Sequence, residues 1–152
     1  MLMAALVMAL QGCASGPADP PGNSSQPGGS ALPPHPGATI AASLVGTPYR
    51  YGGSSPRGFD CSGLVYYSYR KAGIHVPRTT TSQLNNSLPV PLQQVQTGDL
   101  LFFKLSRRAV SHVGIYAGNG QFIHAPSRGK KVSITPVNDP YWQQRLVAAG
   151  RY

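Results

Sequence analysis

The chain has 152 residues, room for one domain, and its 41% hydrophobic content can build a core. Lys and Arg number 13 against four acidic residues (Asp19, Asp60, Asp99 and Asp139), there is no Glu, and the net charge is +9. That balance points to an anionic partner, either cell-wall polymer, membrane surface or nucleic acid; the absence of any DNA- or RNA-binding motif excludes the last.

Residues 1–12 form a short apolar run, too short to span a bilayer and similar to the core of a secretory signal. Leu10-Gln11-Gly12-Cys13 resembles a lipobox, which implies cleavage before Cys13 and acylation there, although Gln11 is larger and more polar than usual and no Lys or Arg precedes the run. Ala14 after the cysteine, by resemblance to Gram-negative lipoproteins, favours the periplasmic face of the outer membrane. Residues 13–36 then read as the lipidated Cys13 and a disordered Pro/Gly/Ser tether, because such a stretch buries too little apolar surface to offset its ordering.

A folded domain is expected over 37–152. Ala38 to Val45 reads as a helix, with Thr39 as cap and Gly46 as stop. Residues 47–60 read as loop. Cys61 to Ala72 reads as a helix ended by Gly73, and Thr79 to Asn86 as a second, polar one. Strands are expected at 99–104, 110–117, 121–125, 131–135 and 145–151, with Gly118-Asn119-Gly120 as a turn and 138–142 as a loop or short helix. Helices followed by a run of strands predict an α+β domain with an antiparallel sheet. No internal repeat or transmembrane helix is evident.

Asp60-Cys61-Ser62-Gly63 joins a tight turn to a helix start. A thiol there meets unpaired N–H groups and the positive end of the dipole, which predicts a thiolate, the form that attacks carbonyls. With Cys13 lipidated, Cys61 has no disulfide partner. Strand alternation puts His112 on one face with Gly114 and Tyr116, and across the turn His124 shares its face with Phe122. His112 can then take the Cys61 proton while His124 fixes its tautomer. The oxyanion needs donors, for which the Cys61 N–H and the Tyr49 hydroxyl are candidates, with Tyr51 the alternative. Asp60, Ser62 and Arg78 are candidate substrate-binding groups, and Arg78 can pair with a carboxylate bidentately or face solvent. Asp99 reads as structural, bonding local turn amides, and Tyr141 with Trp142 as packing. Cys61 with two histidines can in principle hold zinc, but no paired ligand spacing occurs, so neither a metal nor any other cofactor is expected.

Six segments, in order, resemble the NlpC/P60 family of cell-wall peptidases. They are Gly46 to Gly53, Gly58 to Val65, Val76 to Thr79, Gln96 to Phe103, the His112 segment and the His124 segment. The resemblance implies a papain-like α+β fold. It implies a cysteine peptidase with Cys61 as nucleophile, His112 as base, His124 as orienter and Tyr49 in the loop before the nucleophile. The substrate would be peptide bonds in the stem or cross-link of peptidoglycan, cut by a monomer. Two rivals stay open: a non-catalytic wall-binding or scaffold lipoprotein of the same fold, and a Cys–His amidase or acyltransferase on another substrate.

Overall fold

The computed structural model describes residues 34–106 and 109–152. The expected signal segment, Cys13 and the tether up to residue 33 lie outside the described residues.

The first helix, α1 (Pro36–Ser43), starts earlier than expected, with His35 rather than Thr39 at its N-cap. Pro36 sits in the first turn, where its fixed φ suits the helix and its missing N–H costs nothing. The Thr39 hydroxyl instead donates to the His35 carbonyl at 3.3 Å. His35 already packs on Tyr69, with ring centroids 5.3 Å apart. Composition hid this, because a proline reads as tether and as helix start alike.

The stretch expected as loop contains a two-strand hairpin, β1 (Ser54–Ser55) and β2 (Gly58–Phe59). It leads into α2 (Cys61–Lys71), then α3 (Thr80–Asn86). The remaining elements are β3 (Leu88–Val90), a 3-10 turn at Leu92–Gln94, β4 (Leu100–Phe103), β5 (His112–Gly118), β6 (Gln121–His124), β7 (Ser133–Pro136), α4 (Pro140–Gln143) and β8 (Leu146–Arg151). Among the described residues, six strands form one antiparallel sheet in the order β3-β8-β4-β5-β6-β7. Strand β3 was not expected; Pro89 argues against a central strand, and β3 is indeed an edge, where a missing donor is tolerated. The turn after β5 holds Gly118, Asn119 and Gly120 all at positive φ, as its sequence requires.

The sheet has two apolar faces, and strand alternation sorts them. One buries Leu100, Phe102, Val113, Ile115, Ile123 and Ala125 against Ala38 and Ala41 of α1 and Leu64, Val65 and Tyr69 of α2. The other carries Leu101, Phe103, Phe122 and Ala149, covered by Trp142, Val137 and Leu146. The expected α+β domain, helices against an antiparallel sheet, is the fold observed.

Candidate active site

The start of α2 is fixed by a small polar network. The Asp60 side chain caps the helix, accepting from the Gly63 N–H at 2.7 Å. The chain before it folds back so closely that a Cβ on Gly63 would stand 1.9 Å from the Gly53 carbonyl oxygen, so only glycine fits there. Arg78 locks the corner. It donates to both Asp60 oxygens at 3.0 and 2.7 Å, to Ser62 Oγ at 2.9 Å and to the Gly53 carbonyl at 3.3 Å. Its terminal N–H groups are therefore engaged by Asp60, Ser62 and Gly53. Asp60 and Ser62 are bound into the same corner.

Cys61 opens α2 and is only partly buried. Its Sγ lies 3.8 Å from Thr80 Oγ1 at the start of α3. The expected depressed thiol pKa is not what this environment gives. Burial pushes the Cys61 thiol up; the Thr80 hydroxyl opposes that, the Asp60 charge adds to it, and the Val113 and Ser62 N–H groups pull it back only in part. Desolvation outweighs the helix-start donors, so the resting group is a thiol. The Val113 contact also shows how the sulfur meets the sheet. It reaches the start of β5 from the helix side, whereas His112 lies on the opposite, aromatic face with Phe103 and Trp142.

His112 and His124 meet as expected: Nε2 of His112 is 2.9 Å from Nδ1 of His124. They are diagonal neighbours across the β5–β6 pair, in which Tyr116 lies opposite Phe122. Nε2 of His124 is 3.1 Å from Thr135 Oγ1 on β7. These contacts leave Nδ1 as the His112 nitrogen that His124 does not engage; among the described residues no hydrogen bond joins it to the Cys61 thiol. Nδ1 accepts a proton only if Nε2–H of His112 donates to His124, which in turn donates through its own Nε2–H to Thr135. Burial pushes His112 down to about 3, with His124 adding to the effect, and pushes His124 down to about 4, with Lys130 adding. Both rings are neutral at pH 7.

Tyr49 is held against the hairpin by a bridge to Phe59 and a backbone bond from its N–H to the Lys130 carbonyl at 2.8 Å. Burial raises its pKa, and the Cys61 group adds to the effect. Tyr51 is 84% exposed, so Tyr49 is the better placed of the two. Asp99 accepts from the Gln96 N–H as expected, and also holds Arg151 through two bonds of 2.6 and 2.7 Å. Sequence reasoning missed Thr80 and Thr135. Thr80 is one residue past the Val76–Thr79 motif, and Thr135 was visible in the alternation of Ser133 and Thr135 around Ile134. Among the described residues no cluster of metal-ligating side chains occurs.

The buried neutral histidines have a stability consequence. Both folded pKa values lie below the unfolded value of about 6.5, so their contribution is complete above that pH and is lost as pH falls toward 4. Each unfolded ring binds a proton that its folded counterpart refuses. At pH 5 the slope should approach about 1.4 kcal/mol per pH unit per histidine. Urea midpoints measured from pH 7 to 4.5 should fall accordingly, in a window above most carboxylate titration. A flat midpoint would contradict the buried neutral pair.

The NlpC/P60 family model matches residues 46–151. Murein DD-endopeptidase MepH of Escherichia coli (strain K12) is 46% identical over 112 residues, which are 70% of this chain and 41% of that protein. The Gamma-DL-glutamyl hydrolase of Bacillus subtilis (strain 168) is 41% identical over 115 residues, 74% of this chain and 28% of the relative. An NlpC/P60 family protein from Bacillus cereus ATCC 10987, known from its crystal structure, superposes with a TM-score of 0.72 at 36% identity, covering 78% of this chain and 41% of that one. The chain thus spans less than half the length of these relatives. With a family match from the loop before Cys61 to the end of β8, and the fold of a solved member, the chain belongs to the NlpC/P60 family.

Proposed function

We propose that this chain is a peptidoglycan peptide hydrolase, a cysteine peptidase acting on stem peptides or their cross-links. The observation that carries it is the Cys61 thiol at a helix start, beside the strand whose first residue, His112, has Nε2 engaged by His124 and Nδ1 outside that bond. Resting thiol and imidazole are both neutral. As Sγ bonds to the substrate carbonyl carbon, its proton passes to Nδ1 of His112. The Cys61 N–H and the Tyr49 hydroxyl stabilise the oxyanion. Collapse breaks the C–N bond, and His112 returns the proton to the leaving amine. Water then attacks the thioester, gives a proton to His112, and the C–S bond breaks to restore the thiol. His124 fixes the His112 tautomer throughout. No cofactor enters these steps.

The basic charge fits an anionic wall. Each acidic residue in the described part is used internally: Asp60 caps α2, Asp99 holds Arg151 and Asp139 caps α4. The positive surface is therefore uncompensated and suits the carboxylates of stem peptides. The relatives' names split between a DD-endopeptidase and a γ-DL-glutamyl hydrolase. The higher identity of the first favours the cross-link as substrate. Digestion of purified peptidoglycan followed by mass spectrometry should show cross-linked dimers converted to monomers, in EDTA as without it. Unchanged peptidoglycan, or activity lost to EDTA and restored by zinc, would reject this reading.

The site of action is extracytoplasmic, and we place the protein on the outer membrane by a lipid on Cys13. Cys13→Ser should remove mature protein from the membrane fraction. Retention of that mature variant in the membrane would leave the basic surface as the anchor.

A further inference from the structure

Trp142 packs on both rings of the histidine pair. Its ring lies over His112 at 5.0 Å between centroids, tilted 32°, and stands edge-on to His124 at 4.6 Å and 90°. It is also edge-on to Phe103 and Phe122, at 5.2 and 5.5 Å. Phe103 and Phe122 flank the two histidines from β4 and β6, and Trp142 covers them from α4. The histidines are each 2% exposed. Yet Trp142 also lines a surface cavity of about 320 Å³ with Leu105, Pro126, Ser127, Lys130 and Tyr141. One indole therefore borders both the histidine rings and a space that water can enter.

We propose that Trp142 is a positioning residue, a wall that keeps water off the His112–His124 pair and so restricts its bonded ring nitrogens to each other and to Thr135. The wall is held by local chemistry. A four-residue helix does not persist by itself. Here Asp139 caps it, accepting from the Tyr141 and Trp142 N–H groups at 2.9 and 3.3 Å, Pro140 starts it, and the Trp142 carbonyl accepts from the Arg145 N–H at 3.0 Å. The Arg145 guanidinium lies 3.8 Å from the Tyr141 ring centroid and ties down the same turn.

Among the described residues the titratable and charged groups around the pair are few. They are Lys130 on the β6–β7 loop, whose charge also disfavours protonation of His124, and Tyr141 and Asp139 at α4; the Cys61 thiol meets β5 from the helix side. Asp139 is engaged with the α4 amides. Burial is the leading cause of the lowered basicity of both histidines, and the indole supplies part of that burial. With water admitted beside the rings, either nitrogen of each could find a partner, and the tautomer that His112 needs as a base would no longer be imposed.

The role rests on reading His112 as the base, but its test needs no substrate. Histidine Cε1–H signals, assigned with single histidine-to-glutamine variants, are titrated by NMR in wild type, W142A and W142F. W142A should raise the midpoints of His112 and His124 by about one pH unit or more toward the ordinary value. W142F, which keeps an aromatic wall, should stay near wild type. The acid limb of kcat/KM should move with the NMR midpoint, a shift that a loss of folded protein does not produce. A folded W142A that titrates like wild type overturns the proposal, whatever its activity. Should W142A fail to fold, D139A decides, since it loosens α4 but keeps the ring: the same upward shift supports the wall, and an unchanged titration overturns it. Shifted midpoints without any hydrolysis would reject the peptidase reading and leave this one standing.

Discussion

Cys61→Ala is expected to lower kcat on peptidoglycan by at least about 10³, because no acyl-enzyme forms without the sulfur and the remaining oxyanion donors act only on a water attack. The fold should survive. The thiol is partly buried, its one side-chain hydrogen-bond partner among the described residues is Thr80 at 3.8 Å, and the Asp60–Arg78–Gly63 corner that fixes the helix start does not involve it. Circular dichroism and melting should therefore match wild type. Activity above about one per cent of wild type would sink the thiol mechanism, since removing a nucleophile costs orders of magnitude more. A companion measurement addresses the resting protonation state. Because burial raises the thiol pKa, alkylation by iodoacetamide should keep accelerating as pH rises past the ordinary thiol value. A rate already saturated at pH 7 would restore the thiolate that the helix start alone predicts.

The second large effect is at His124. His124→Ala should reduce kcat by about 10² or more with a smaller change in KM, because the lost bond acts on the base and not on bound substrate. His124→Asn should be milder. In the tautomer that lets His112 act as a base, its Nε2–H donates to His124, and the asparagine carbonyl can accept that bond where alanine offers nothing. An asparagine variant as impaired as the alanine one would mean that the imidazole contributes more than orientation. Wild-type activity in both would reduce the machinery to Cys61 and His112. The alanine variant also leaves a buried His112 N–H without a partner, so part of its loss should appear as lowered stability. Urea midpoints of both variants separate that part from the effect on turnover.

Local chemistry makes α2 legible in the sequence. Asp60 caps it, Gly73 at positive φ ends it, and Leu64, Val65 and Tyr69 face the core. The β5–β6 turn and the shared face of His112 and His124 are equally open to reading, because strand alternation and a Gly-Asn-Gly turn are local rules. The family is recognisable for the same reason, as its motifs are short runs of adjacent residues. What the sequence left undecided were the partners of its polar side chains. Thr39 suited a cap, but the chain before it chose His35 and Pro36. Arg78 suited a substrate carboxylate or solvent, and its observed partner is the Asp60 carboxylate, 18 positions away. Asp99 bonds the Gln96 N–H of its own turn, as its place in the sequence implies, and also holds Arg151, 52 positions on, which the sequence does not record.

The sequence by itself determined which groups this protein has for chemistry and which elements carry them: a thiol at a helix start, two imidazoles on one sheet face and a tyrosine in the preceding loop. The tertiary structure alone decided their charge states and their partners. The thiol pKa follows from burial against β5 and Thr80, the histidine pKa values from the aromatic face closed by Trp142, and the fate of Arg78 from the fold of the Gly53 corner. Desolvation is the physical reason. It depends on what surrounds a group in space, and a chain read residue by residue does not record which distant side chains exclude the water.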